Sequence, residues 1–171
     1  LGESRCREVR LFDDTTIEAD FVVAGLGVEP VVSYLNDEEL LDGGGVQVDE
    51  LLETEAEGIY AAGDIAGVPY PGMSEKYRIE HWVVAEAQGI HAARSIVGHT
   101  DPYATIPFFW SRQYETSIKY VGYPEPGAVE HERGSAAEHD GIVGFPVDDH
   151  IVGAAAVGRS GELLSLERTL R

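Results

Sequence analysis

Residues Gly58-Ile59-Tyr60-Ala61-Ala62-Gly63-Asp64 form a short apolar run that ends in a glycine and a carboxylate. A run of this kind reads as a strand buried on both faces, and such strands belong to parallel sheets covered by helices. Open sheets of that class bind ligands beyond the carboxyl ends of their strands. There Gly63 would let a ligand approach the backbone, and Asp64 would accept hydrogen bonds from hydroxyl groups. Taken alone, a Gly-Asp pair after a strand is more often a helix cap. A second run, Asp20-Phe21-Val22-Val23-Ala24-Gly25, is apolar after its first residue and predicts another strand of the same type, broken by Leu26-Gly27-Val28-Glu29-Pro30.

The remaining pattern places these runs in an order. Alternation over 7–12 and 15–18 around Asp13-Asp14 predicts a β-hairpin. Residues 31–45 read as a short helix or loop, 46–48 as a brief strand and 65–78 as a loop too rich in Gly and Pro for a regular element. From about His81 to Val97 the period is helical, with Val83, Ala87, Ile90, Arg94 and Val97 on one stripe, Val84 and Ala93 widening it, and Gly98 as the stop. After a linker at 99–106, five short strands are expected at 108–110, 117–123, 128–132, 141–145 and 151–157. Turns fall at 124–127, 134–140 and 147–150, and a helix over 161–170 turns Leu163, Leu164, Leu166 and Leu170 inward. The fold class is α/β followed by an α+β module, an antiparallel sheet capped by a terminal helix.

Charge and cysteine content narrow the function classes. Twelve Lys+Arg against 31 Asp+Glu give a formal charge of −19, which repels nucleic acid and anionic membrane alike. Only Lys76 and Lys119 are lysines; this fits adaptation to high salt and equally an ordinary acidic protein. Cys6 is the single cysteine, so neither an internal disulfide nor a multi-cysteine metal site is expected, and no metal site is assigned. The apolar runs are too short to span a bilayer, and residues 1–5 lack the apolar core of a signal peptide. The expectation is a cytoplasmic acidic chain.

The stretch Thr54-x-x-x-x-Ile59-Tyr60-Ala61-Ala62-Gly63-Asp64 resembles the second FAD fingerprint of the pyridine nucleotide–disulfide oxidoreductase superfamily. The resemblance implies that Asp64, beside Gly63, hydrogen-bonds a hydroxyl of the ribityl chain. Residues 17–30 resemble the last hairpin and strand of the family's NAD(P)H domain, which puts Gly25 close to the nicotinamide nucleotide. Glu80-His81-Trp82 opens the helix that would meet the flavin, where free N–H groups and the helix dipole suit a ring edge that becomes negative on reduction. Glu80 could instead reach the nicotinamide amide. The plainer readings are a half-buried Trp82 anchoring the helix and a solvated His81.

Pro107-Phe108-Phe109-Trp110-Ser111-Arg112-Gln113-Tyr114 and Ile118-Lys119-Tyr120-Val121-Gly122 resemble the C-terminal domain of the ferredoxin-reductase-like branch, which also includes apoptosis-inducing factor. That implies Trp110 at the flavin entrance, while Phe108 and Phe109 read as sheet core. Arg112 departs from the acidic residue usual after this serine, which alters the charge at the flavin mouth. The absence of a His-Pro pair sets the chain apart from the glutathione-reductase branch.

The resemblance divides the chain into 1–26, the tail of an NAD(P)H domain; 27–103, the second segment of an FAD domain; and 104–171, a C-terminal reductase module. Neither Gly-x-Gly-x-x-Gly motif of the family is present. The chain is therefore expected to be about half of an enzyme, binding FAD weakly or not at all without a missing N-terminal half. The implied parent moves electrons from NAD(P)H through FAD to a ferredoxin- or rubredoxin-like carrier. In such an enzyme the flavin carries the chemistry, and no catalytic acid or base is assigned here. Two other readings stand beside it: a binding or assembly module, including a homo-oligomer, and a signalling flavoprotein without a dedicated carrier.

Overall fold

The computed structural model describes residues 6–36, 38–71, 73, 75–123, 127–148 and 150–170. The expected hairpin forms from β1 (Glu8–Arg10) and β2 (Thr16–Glu18), with Val9 opposite Ile17. Asp14 takes a left-handed φ of +66° at its tip, and Arg10 pairs with the Asp14 carboxylate.

The run at 20–25 does not become a strand. It joins no described strand, with Phe21 77% and Val23 83% exposed. A strand exists only through its neighbours, and no described strand lies alongside these residues.

A four-stranded sheet follows, in the order β3 (Leu41–Asp42), β4 (Gly45–Gln47), β5 (Ala66–Pro69), β6 (Lys76–Tyr77), after one 3-10 turn at Glu38–Leu40. β4 and β5 run parallel, with Val46 opposite Ala66; the other pairs are antiparallel. The expected strand at 58–64 is thus displaced: strand β5 begins two residues after Asp64, inside the segment expected to be a loop. The reason is competition for partners. Residues 59–61 bond back locally, Ile59 O accepting from Thr54 N–H at 2.8 Å and Ala61 N–H donating to Leu52 O at 3.1 Å. Ala66 and Val68 are fully buried in the sheet. Gly67 is tolerated there because the Gln47 side chain occupies the place of its missing Cβ. Val46, Val48, Leu52, Ala66, Val68, Tyr70 and Tyr103 form the core of this part.

Helix α1 (Trp82–Ile96) ends as expected. Gly98 adopts φ +96°, its N–H bonds Ser95 O at 2.9 Å, and His99 N–H bonds Arg94 O at 3.0 Å, a Schellman stop. Its buried face, however, is Val84, Gln88, Ala92 and Ser95, rotated from the expected stripe, and Ile90 and Val97 are exposed.

The five expected strands all form: β7 (Phe108–Gln113), β8 (Thr116–Gly122), β9 (His131–Ser135), β10 (Asp140–Val147) and β11 (His150–Val157). They make one antiparallel sheet in the order β7-β8-β11-β10-β9. β9 lies three residues later than expected, so the anticipated turn at 134–140 shrinks to a 3-10 turn, Ala136–Glu138, with His139 at φ +58°. The turn at 124–127 falls mostly outside the described residues, as does Asp149 in the one at 147–150. Helix α2 (Ser160–Thr169) covers one face through Leu163, fully buried, with Leu166 and Leu170, whereas Leu164 is exposed. Arg159 fixes its start, bonding the Asp140 carboxylate at 2.9 and 3.0 Å and Glu162 at 3.2 Å; Glu162 also pairs with Arg133. No helix among the described residues is long and apolar enough to cross a membrane.

Candidate functional site

The turn between the local hairpin and β5 presents Asp64. Gly63 sits at φ +82°, a conformation glycine adopts without steric cost. Its buried N–H donates to Gln88 Oε1 at 2.7 Å, and its carbonyl accepts from Ala66 N–H at 2.9 Å. The Asp64 carbonyl accepts from Arg78 Nη1 at 2.8 Å. The Asp64 side chain is exposed and has no hydrogen-bond partner among the described residues. The backbone is held on both sides, and the carboxylate meets no hydrogen-bond partner among the described residues.

Arg78 links this turn to the start of α1. Its stem lies over Gly45, where a Cβ would collide with it, and its Nη1 also pairs with Glu80 Oε1 at 3.2 Å. His81 is the helix N-cap, with extended backbone (φ −150°) and Nδ1 accepting from Val83 N–H at 3.3 Å. It is therefore a capping residue and not the solvated side chain of the plainer reading. Ala85 N–H bonds His81 O, while the N–H groups of Trp82 and Val84 have no acceptor among the described residues. With no acidic residue in the first turn, this helix end retains donors and positive potential.

The same helix end meets the edge strand β7. Trp82 and Trp110 stack edge-on, ring centroids 5.8 Å apart at 79°, and His81 lies 5.3 Å from Phe109. Trp82 is 62% and Trp110 47% exposed, so both rings offer open faces. Trp82 is thus more open than a half-buried anchor. Behind them Phe109, Tyr120 and Phe145 form a row on one sheet face, and burial pushes the Tyr120 phenol up to about 12.

Gly63, Asp64, Glu80, His81, Trp82 and Trp110 thus belong to one connected neighbourhood. Gly25 does not join it: it is exposed, with no described atom within 4 Å of the position of its missing Cβ. Two further residues, Arg78 and Gln88, hold the neighbourhood together. Gln88, entirely buried, also donates from Nε2 to Tyr70 Oη at 3.2 Å. The signal for it was available, as a polar residue midway between Val84 and Ala92 on an apolar helix face.

Comparison with known proteins identifies relatives of the chain as a whole. The family described as pyridine nucleotide-disulphide oxidoreductase matches residues 2–89, and the family described as reductase C-terminal matches residues 108–171. The ferredoxin–NAD(+) reductase component of the anthranilate 1,2-dioxygenase system of Burkholderia cepacia is 34% identical over 92% of this chain and 39% of its own length. Human apoptosis-inducing factor 3 is 28% identical over 99% of this chain and 29% of its own length. Among solved structures, a ferredoxin reductase of the CYP199A2 system from Rhodopseudomonas palustris superposes with a TM-score of 0.84 at 29% identity, covering 96% of this chain and 41% of that one. The covalent putidaredoxin reductase–putidaredoxin complex gives 0.84 at 28% identity, covering 96% and 39%. The chain therefore spans about two-fifths or less of the relatives it matches.

Proposed function

The chain belongs to the pyridine nucleotide-disulphide oxidoreductase family, whose members use FAD and NAD(P)H, and we propose that it is the C-terminal part of an electron-transfer flavoprotein. The observation that carries the proposal is the Gly63–Asp64 turn: a carboxylate on a clamped backbone, beside a helix start and an open tryptophan pair, with neither the carboxylate nor the first helix donors bonded to a described residue. These residues fit FAD. Asp64 accepts from a ribityl hydroxyl, and the Trp82 and Val84 N–H groups donate to the carbonyl edge of the ring. Trp82 and Trp110 exclude water from the ring's entrance, and Arg78 holds Glu80 toward the nicotinamide side. FAD, when bound, supplies acceptance of a hydride from NAD(P)H and delivery of electrons to an acceptor.

In this reading residues 1–26 close an NAD(P)H domain, with Gly25 beside the nucleotide, 27–103 are the second segment of the FAD domain and 104–171 are the reductase module. The pyrophosphate-binding glycine motifs lie in a missing N-terminal half, which also covers the apolar residues 21–31, so this chain alone is inactive. The acceptor is a small iron–sulfur carrier of ferredoxin or rubredoxin type. The likeness to apoptosis-inducing factor 3 over 99% of the chain favours a second reading, a flavoprotein without a dedicated carrier.

The deciding experiment uses the full-length protein. A flavin absorption spectrum that diminishes in Asp64→Ala supports the assignment, and a colourless wild-type protein that takes up no FAD refutes it. NAD(P)H-driven reduction of an added ferredoxin supports the carrier, and its absence from a flavin-loaded, NAD(P)H-reducible protein supports the second reading.

A further inference from the structure

We infer that Gln88 is a positioning residue, fixing the direction of the Asp64 carboxylate through the Gly63 backbone. The inference rests on the flavin reading above. A glutamine side chain with no exposed surface, on a helix face shared with Val84 and Ala92, is costly to bury unless both ends of its amide are satisfied. Here both are. Oε1 takes the Gly63 N–H at 2.7 Å, and Nε2 gives to Tyr70 Oη at 3.2 Å. The Gly63 N–H lies in a buried turn, and Gln88 is its one acceptor among the described residues.

The direction of Asp64 depends on this bond because no described residue grips its carboxylate directly. Three hydrogen bonds set the peptide planes around it: Gly63 N–H to Gln88, Ala66 N–H to Gly63 O, and Arg78 to Asp64 O. The first alone ties the turn to α1, the helix that also carries Trp82. Ala85 lies beneath the same turn, its Cβ 3.5 Å from where a Gly63 Cβ would be. Gln88 therefore couples the residue facing the ribityl chain to the helix facing the ring. Tyr70, packed edge-on against Tyr103 at 6.1 Å and tilted against Tyr123 at 5.1 Å, holds the glutamine from behind.

Gln88→Leu keeps the volume and removes both bonds, whereas Gln88→Glu retains an acceptor for Gly63. In the full-length protein without FAD, Gln88→Leu is expected to speed hydrogen exchange of the Gly63 amide by about tenfold or more, as its protecting bond is lost. In the full-length protein it should weaken FAD binding by about tenfold, with Gln88→Glu returning to within about threefold of wild type. A folded Gln88→Leu protein with a lowered melting temperature but unchanged Gly63 exchange and FAD affinity makes Gln88 a core residue only and overturns the inference. Should Gln88→Leu not fold, Tyr70→Phe decides. Faster Gly63 exchange with weaker FAD binding upholds the inference, and neither change overturns it. If Asp64→Ala leaves FAD binding intact, the flavin reading itself has failed; if Asp64→Ala weakens it and Gln88→Leu does not, only the role of Gln88 has.

Discussion

Replacing Gly63 with alanine separates two costs that usually arrive together. The first is conformational: at φ +82° an L-residue is held in the left-handed region, at a cost of about 1–2 kcal/mol. The second is steric, and here it is absent, because the new Cβ would rest at an ordinary 3.5 Å from Ala85 Cβ. Gly122 supplies the contrast. It has a similar φ of +89°, but its Cβ would meet Val152 O and sit 2.5 Å from Gly153 Cα, the backbone of the adjacent strand β11. Two paired strands must then part, which adds about 1–3 kcal/mol of overpacking to the same torsional cost. Urea unfolding followed by far-UV circular dichroism measures both. With a slope of about 2 kcal/mol per molar, Gly63→Ala should lower the midpoint by about 0.5–1 M at unchanged slope, and Gly122→Ala by more. Gly63→Asn should be milder than Gly63→Ala, since asparagine tolerates this conformation. The reasoning fails if Gly63→Ala costs as much as Gly122→Ala, or if asparagine is no milder than alanine.

Other expectations follow from the same geometry. Leu163→Ala removes the one fully buried side chain of α2 and should cost about 2–5 kcal/mol in the same urea titration; a loss below about 1 kcal/mol would show that α2 does not depend on this anchor. Tyr103→Phe deletes a buried hydroxyl that makes no hydrogen bond of ordinary geometry among the described residues, with Thr105 and Tyr70 its nearest polar neighbours, so stability should hold or rise by up to about 1 kcal/mol, and a clear loss of stability would mean the hydroxyl is paired in solution. Burial pushes Tyr103 and Tyr120 each up to about 12, above the value of about 10 for an unfolded tyrosine. The folded chain then holds protons that the unfolded chain sheds, so this contribution is whole below about pH 10 and is lost as pH climbs toward 12. Phenolate absorbance and circular dichroism should change together in that window; full ionisation with intact dichroism would refute the link.

What could be read from the sequence was whatever local signals decide. Gly98 ends α1 where expected because a Schellman stop needs only the last helical turn and one glycine. The strands of the second sheet were found because short apolar segments between turn residues are a local pattern. The errors have non-local causes. β5 falls after Asp64 because parallel pairing with β4, some twenty residues earlier, outweighs the breakers around Gly67. The helix face is rotated because Gln88, polar by composition, is drawn inward by Gly63 and Tyr70, leaving Ile90 and Val97 outside. Residues 20–25 have a strand's composition, but no described strand pairs with them. Asp64, Glu80, His81, Trp82 and Trp110 were identified by resemblance, and the structure gathers them. Gln88, which ties Gly63 to α1, carries no motif.

The two tryptophans of this chain are in contact with each other. All indole fluorescence therefore originates where the start of α1 meets the edge of β7, and the closely spaced rings should show exciton coupling in the near-ultraviolet. Emission becomes a reporter of that junction rather than of the whole molecule. Loss of structure at the β9 edge or around α2 would leave it unchanged, whereas a small shift of Trp82 against Trp110 would alter it before any strand separates. An emission transition that precedes the far-ultraviolet one would time the opening of the junction against the unfolding of the sheets.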